Sequence, residues 1–570
     1  MMLASLGGSL LLVCGTLFGL GWPLASRLRL APGEKAGVSV LLSLIGVWLV
    51  GWLVFVFSLS HQLFWTLPAL AALGLATGAR SLATLGRDPE VRELAAGQGL
   101  VTGWCLGWLV LVRNYSGGLW AFDWFEHWQR TRFFLEHWPR QTLFLNLYAL
   151  TARPPLTNVV TGVFLGTTTV DFAHFQLVMT VLSSLAFLPA ALLARRWGGR
   201  AAVAGLTVLV MLNPLFVQNS TYPWTKLSAA GFVLFALYFF LRAHDSPRLP
   251  AAPALCGASL AAGLLAHYSA GPYAVLLAAG WLVLGRADPR ADFLAATGKA
   301  VLAGALVLAT WFPWAVFVYG AAGTFLGNTT VSESAPTLAA QAGRILLNLR
   351  DTLVPHFLRA VDSSLLDQLS VAGRWRDWFF QLYQLNLLFA FGCAGWLVLL
   401  RVFAIEAGAA ARRERVWMLF ALAGVVLGIA VHGARDTWGL THICLQSLVL
   451  LGLARLAARW NRLAAGWRRL LVAGLAVDLV AGIVLNIFAQ GYLLERWAAA
   501  PTAGAMLLRQ TRTAAVNLQV KLNRHLDFLG DIFTPRPVLV LALLGALLTM
   551  AVIRVINVHA HRHDRHPDIQ

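Results

Sequence analysis

Charge is what this chain has least of. Of its 570 residues only 12% are Asp, Glu, Lys or Arg, while 58% are hydrophobic and the mean hydropathy is +0.69. A soluble domain carries roughly 25% charged residues. A shortfall of that size excludes a disordered chain, a collagen-like chain and an ordinary soluble enzyme. Lysine is scarcer still, limited to Lys35, Lys226, Lys299 and Lys521, so nearly all the basic charge is arginine. Cysteine is sparse too: Cys14, Cys105, Cys256, Cys393 and Cys444 lie within or beside apolar runs, with no CxxC spacing. That removes zinc-ribbon and thioredoxin-type chemistry and reads as small core residues. The formal net charge of +19 does not indicate nucleic acid, because the arginines are scattered through short loops instead of forming one patch.

What is abundant is apolar sequence in bilayer-length runs. Reading those runs against the length of a membrane-crossing helix predicts about fifteen spans, and an all-α polytopic membrane protein. The first run lacks the basic start and small-residue cleavage site of a signal peptide, so it reads as a retained helix. The short loops holding Arg27, Arg29, Arg80, Arg87, Arg92, Arg195, Arg196, Arg200, Arg242 and Arg248 alternate with loops poorer in basic residues. By the positive-inside rule they face the cytoplasm. The reading predicts a multi-pass protein of the inner (plasma) membrane whose long segments 114–171, 321–378 and 490–536 all lie outside. The implied organisation is N-terminal helices over 1–97, a core over 98–322 and an outer loop over 323–378. Further helices over 379–489, an outer loop over 490–536, and a last helix with a His-rich cytoplasmic tail over 537–570 complete it. Long loops with their own polar and apolar pattern are commonly functional.

The first long loop is the most informative. Taken as a helix, residues 123–138 put Asp123, Glu126, His127, Arg130 and His137 on one face by three- and four-residue spacing. Trp124, Trp128, Thr131, Leu135 and Trp138 form a second, mostly apolar stripe. Such a helix suits the membrane interface, with its Trp rings at the headgroup level. There a carboxylate can meet a lipid phosphate from one side and a hydroxyl from the other. Asp123 and Glu126 are the candidate general base or metal ligands. His127 and Arg130 are candidate acceptor or metal contacts, and the pattern leaves a divalent metal open without identifying one.

The acidic helix is followed by Arg153-Pro154-Pro155-Leu156, then by Leu193-Ala194-Arg195-Arg196-Trp197-Gly198-Gly199-Arg200 and Leu212-Asn213-Pro214. Next come Tyr222-Pro223-Trp224-Thr225-Lys226, Tyr238-Phe239-Phe240-Leu241-Arg242 and Ala262-Gly263-Leu264-Leu265-Ala266-His267-Tyr268. This order resembles the polyprenyl-phosphate-sugar-dependent glycosyltransferases of the GT-C fold, nearest to the protein O-mannosyltransferase and aminoarabinose-transferase superfamily. The resemblance covers residues 114–285 well and the rest only in architecture.

It implies a GT-C-like helical fold with long extracytoplasmic loops carrying interfacial helices. It also implies an enzyme that moves a sugar from a polyprenyl-phosphate donor to an acceptor hydroxyl on a glycan, lipid or protein. By resemblance Asp123 matches the essential acid, and Glu126, three residues on where relatives carry an adjacent pair, is its partner. Arg153 matches the basic residue that holds the donor's phosphate, a role guanidinium suits because it binds phosphate in a bidentate fork. Lys226 stands where relatives often carry an acid and His267 where they often carry Lys or Arg, so both become donor-phosphate contacts. Arg435, in Arg435-Asp436-Thr437-Trp438, loosely matches a late motif with the same role. Asp478, inside a predicted span, reads as a structural hydrogen-bonding group. The competing readings are a transporter or lipid flippase, which would favour paired charges at mid-membrane and broken spans, and a non-catalytic relative that binds lipid-linked glycans.

Overall fold

Several helices begin where the sequence supplies a side-chain cap. The computed structural model describes residues 2–112, 115, 123–245, 249–285, 289–327, 337–355, 358, 382–384, 386–405, 421–430, 445–484, 526–533 and 537–563. Among them the architecture is helical, with no strand. The helices that position the site are α1 (Met2–Gly19), α2 (Pro32–Val56), α3 (Pro89–Leu109), α4 (Asp123–Glu136), α5 (Leu156–Thr167) and α6 (Phe172–Ser184). They continue with α7 (Phe187–Leu212), α8 (Pro214–Thr221), α9 (Lys226–Ala243) and α10 (Ala252–Ala266).

Three starts show the local logic. Asp88 accepts from the amides of Glu90 and Val91 at 2.8 and 3.2 Å, with Pro89 as the first helical residue of α3. Asp171 accepts from His174 N at 2.8 Å to open α6. Asn213 accepts from Phe216 N at 2.9 Å before Pro214, so the Leu212-Asn213-Pro214 motif is a cap plus a proline that has no amide to waste. The run Arg195–Arg200, which the sequence predicts as a loop, lies instead inside α7. The chain breaks its helix there at Gly199 alone, with φ +71° and ψ −160°. Only glycine enters that region cheaply.

Seven helices among the described residues are long and apolar enough to cross a membrane, or eight if the bent pair His61–Thr77 and Ala79–Arg87 counts as one. Others predicted as spans are shorter helices here, including Ala252–Ala266, Gly395–Ile405 and Ala421–Ala430. The spans divide by burial. The most apolar 18 residues of Phe172–Leu212 are 94% buried and form the centre with α9, whereas those of Arg290–Leu308, also apolar, are 6% buried. An apolar helix left that exposed is one whose solvent is lipid. In the second long loop, the helix Leu338–Leu353, capped by Thr337, exposes Leu338, Leu346 and Leu353, the pattern of a helix lying at an interface.

Polar side chains inside the bundle are paired at both ends of α9. At its C-terminal end Glu34 accepts from Tyr238 Oη at 2.9 Å and Arg242 Nε at 2.6 Å. Asp245 accepts from both Nη atoms of Arg196 at 2.7 and 2.8 Å, and Glu90 pairs with Arg195. At the N-terminal end, about 24 Å away by helix rise, stands Lys226. Asp478 has the structural role its position predicts: it accepts from Tyr383 Oη at 2.5 Å and Cys393 N at 3.0 Å. Cys105 and Cys256 are buried as expected of core residues, but Cys14 and Cys393 are exposed. Cys444 lies outside the described residues.

Candidate active site

The helix α4 starts with two acids, Asp123 and Glu126, in its first turn, where negative charge complements the helix dipole. It stops at Glu136. His137 turns into the left-handed region at φ +50° and Trp138 N donates to Phe133 O at 3.2 Å, a helix-ending turn. That turn carries His137 off the polar face, and its ring stacks on His61 and Phe55 at 5.0 and 5.8 Å. The other four residues of the face stay together. Both faces predicted by spacing exist, yet neither points outward. Trp124 and Trp128 are buried and meet Phe172, Phe175 and Phe528 at 5.2–6.0 Å. The Trp stripe therefore anchors α4 into the protein, and the ionisable face is turned onto the Ala149–Arg153 segment, with His127 reaching Asn158 of α5.

The Arg153-Pro154-Pro155-Leu156 motif acquires a physical reason. A residue before proline is pushed to extended backbone; Arg153 sits at φ −139°, ψ 141°, and α5 begins at Leu156. The arginine is thus held between two helical segments with its side chain free to reach across to α4. Its Nη2 donates to Asp123 Oδ1 at 2.8 Å and its Nε to Glu126 Oε2 at 2.9 Å. Glu126 Oε1 in turn accepts from Arg130 Nε at 2.8 Å. Arg130 spends its remaining nitrogens on the carbonyls of Leu150 and Ala149 at 2.8 and 3.0 Å, with its guanidinium over Phe144. Asp123 Oδ2 accepts from Trp224 Nε1 at 3.0 Å.

The two carboxylates differ. Glu126 is fully buried and held by two guanidiniums, while the Asp123 side chain keeps 14% exposure. Burial raises the Glu126 pKa, but Arg153, Arg130 and His127 outweigh it and hold the carboxyl below its ordinary range. Burial likewise opposes the charge on Arg153, and Asp123 and Glu126 more than offset that, holding the guanidinium above its usual value.

Lys226 opens α9 with its Nζ 3.9 Å from the centre of the Trp224 ring, and both Asp123 and Arg153 lie within its electrostatic reach. His267, extended at the end of α10, accepts from Ser269 N on Nδ1 at 3.1 Å and has Lys226, Arg153 and His127 as electrostatic neighbours. Seven of the predicted residues thus form one buried cluster: Asp123, Glu126, His127, Arg130, Arg153, Lys226 and His267. Arg435 lies outside the described residues. Two members carried no predicted role. Trp224 is inside a quoted motif, so only its role was hidden. Asn158, whose Oδ1 meets His127 Nδ1 at 3.2 Å, is marked in the sequence only as an asparagine inside an apolar run.

With two carboxylates against three formal cations, the cluster has an excess positive charge in a buried place, which favours an anionic ligand. Among the described residues no three His, Cys, Asp or Glu side chains group as a metal-ligand set; the carboxylates are faced by guanidinium. Next to these residues in the chain is a small apolar cavity of roughly 20 Å³ lined by Leu156, Thr157, Val160, Ser228, Phe232 and Phe235, among others. Leu156 and Ser228 follow Arg153 and Lys226 by three and two residues, so the lining of that cavity begins within one helical turn of the cations.

His127 gives the site a pH signature. Burial lowers its pKa to about 3, helped by Arg153 and Arg130. An unfolded imidazole takes up its proton near pH 6.5, so between those values the unfolded chain binds the extra proton and stability falls as pH drops. By about pH 5 the loss is about 2 kcal/mol. Thermal melting in detergent should therefore fall more for the parent than for His127→Gln on going from neutral pH to about pH 5. Equal falls would mean His127 protonates as easily folded as unfolded.

No protein-family model matches the chain, and no curated protein matches it. Among solved structures it is similar to the crystal structure of ArnT from Cupriavidus metallidurans bound to undecaprenyl phosphate. That match has 16% identity and a TM-score of 0.44, covering 80% of this chain and 77% of the other. It is also similar to the apo state of the same protein, at 15% identity and a TM-score of 0.42, covering 80% and 73%.

Proposed function

We propose that this chain is an integral-membrane glycosyltransferase of GT-C type, taking a sugar from a polyprenyl-phosphate donor and passing it to an acceptor hydroxyl on the extracytoplasmic face. The observation that carries this reading is the grouping of Arg153 and Lys226, buried cations, with the two carboxylates and with apolar lining residues that follow each cation within one helical turn. A lipid phosphate is the ligand with that polarity: an anionic head and a hydrocarbon tail.

In the reaction, Asp123, the more exposed carboxylate, accepts the proton of the acceptor hydroxyl as its oxygen bonds to the anomeric carbon. The bond from that carbon to the phosphate oxygen breaks, and its electron pair leaves with the lipid phosphate. Arg153, Lys226 and His267 face the charge that grows there. Attack opposite the leaving group inverts the anomeric centre. Glu126 and Arg130 do not touch substrate; they fix Arg153. The acceptor is a glycan, lipid or protein hydroxyl, and Arg435 is a further candidate for the phosphate.

The direct test is mass spectrometry of cell-envelope glycans and polyprenyl-phosphate sugars with and without the protein. A sugar missing from the envelope and accumulating on the carrier is the expected result; unchanged profiles of both would sink the reading. Binding gives a second check. Lys226→Ala should weaken polyprenyl-phosphate binding by the value of one charge-assisted hydrogen bond, about 1.5–3 kcal/mol, measured by native mass spectrometry in nanodiscs. Sidedness is separable: in a cysteine-free background, single cysteines at 118 and 290 should differ in labelling by an impermeant reagent in intact cells. Equal labelling would remove the outer active site.

A further inference from the structure

The two buried histidines of the site are locked in opposite tautomers. With the Asn158 oxygen on its Nδ1, His127 carries its proton there, which leaves Nε2 as a bare lone pair. With the Ser269 amide donating to its Nδ1, His267 carries its proton on Nε2. Both Nε2 atoms are buried and have no hydrogen-bond partner among the described residues, and the same holds for Asn158 Nδ2. His127 and His267 are each 1% exposed and Asn158 is fully buried, so leaving these atoms unmade is costly unless a ligand meets them.

Their chemistry divides the site. His267 Nε2–H is a donor beside Lys226 and Arg153, so it belongs with the phosphate. His127 Nε2 accepts and Asn158 Nδ2 donates, on neighbouring helices, one residue past Glu126 and two past Leu156 respectively. An acceptor and a donor together match hydroxyl groups, which both give and take hydrogen bonds. They do not match a charged amine, which would be repelled by Arg153, Arg130 and Lys226, and the buried Glu126 that could pair with it is already held by two guanidiniums. A second anionic group would meet the His127 lone pair and be repelled.

We propose that His127 and Asn158 form the subsite for the transferred sugar, and that this sugar is a neutral polyol, not an amino or acidic sugar. The inference rests on the reading of the cation cluster as a lipid-phosphate site. His127 is a specificity residue here, and Asn158 both fixes its tautomer and supplies the complementary donor.

The test is the ratio of two affinities on the full-length protein in nanodiscs. One ligand is bare polyprenyl phosphate, and the other is polyprenyl phosphate bearing a neutral hexose. The parent should prefer the hexose-bearing lipid. His127→Phe and Asn158→Leu should each erase at least about tenfold of that preference, the size of one buried hydrogen bond left unmade, while still binding the bare lipid. His127→Gln, which restores an acceptor, should recover part of it. A polyprenyl phosphate bearing an amino sugar should show no preference over the bare lipid.

An unchanged ratio in both His127→Phe and Asn158→Leu overturns the subsite, as does preference for the amino sugar. If either variant loses bare-lipid binding through misfolding, the ratio in the other decides. Failure of the parent to bind either lipid is a different result, because it removes the phosphate site itself.

Discussion

Asp123→Asn should lower sugar transfer by roughly 10²–10⁴-fold, the usual contribution of a positioned general base, while leaving the protein folded. The geometry makes that separation clean. An asparagine oxygen can still accept from Trp224 Nε1 or Arg153, the two partners now 3.0 and 2.8 Å away. Arg153 also retains Glu126. What disappears is the capacity to take a proton, so the loss belongs in the chemical step and donor affinity should change little. Glu126→Gln tests the division of labour. Glu126 is fully buried between two guanidiniums, so its neutral replacement should appear first in thermal stability and in the placement of Arg153. Single-turnover rates at saturating donor separate the two effects. An Asp123→Asn enzyme working at the parent rate beside a dead Glu126→Gln enzyme would exchange their roles. If neither substitution slowed transfer, the carboxylates would have no part in the reaction.

The asymmetry between those acids shows where the sequence stops informing. Three- and four-residue spacing puts Asp123, Glu126, His127 and Arg130 on one face, and they are on one face. The order of motifs groups Arg153, Lys226 and His267 with them, and they are grouped. Helix starts at Pro89, Phe172 and Pro214 are written in Asp88, Asp171 and Asn213. Spacing along one helix, however, says nothing of what that helix packs on. Trp124 faces Phe528, some four hundred positions away in the chain, which is why a stripe expected at the lipid interface is part of the core. Glu34 meets Tyr238 and Arg242 across some two hundred positions. His137 left the predicted face because the chain reverses at that residue, and no helical periodicity contains that fact. Asn158 and the tautomer it imposes are the extreme case, since an asparagine inside an apolar helix announces only that something must meet it.

Arg153 is where this matters for experiment. Resemblance makes it a phosphate contact, which suggests that Arg153→Ala would lose donor binding in an otherwise intact protein. The structure makes it a hub as well: its fork is shared between Asp123 and Glu126, and removing it leaves Glu126 with Arg130 alone and Asp123 without a guanidinium. Breaking a buried ion pair by deleting one partner costs about 3–5 kcal/mol, so Arg153→Ala should melt far below the parent in detergent. Loss of transfer by that variant would then say nothing about phosphate. Two companions resolve it. Arg153→Ala combined with Asp123→Asn removes the stranded charge while Glu126 keeps Arg130, and should recover much of the lost stability, while polyprenyl-phosphate binding stays weak. Arg153→Lys retains one charge without the planar fork, so it can neutralise a carboxylate but cannot bridge both. It should fold better than the alanine variant and still bind donor less tightly than the parent. If the double variant stays as unstable as Arg153→Ala, the arginine is held by packing and not by Asp123. If Arg153→Lys binds polyprenyl phosphate at parent affinity, the fork belongs to Asp123 and Glu126 alone, and the lipid phosphate sits with Lys226 and His267.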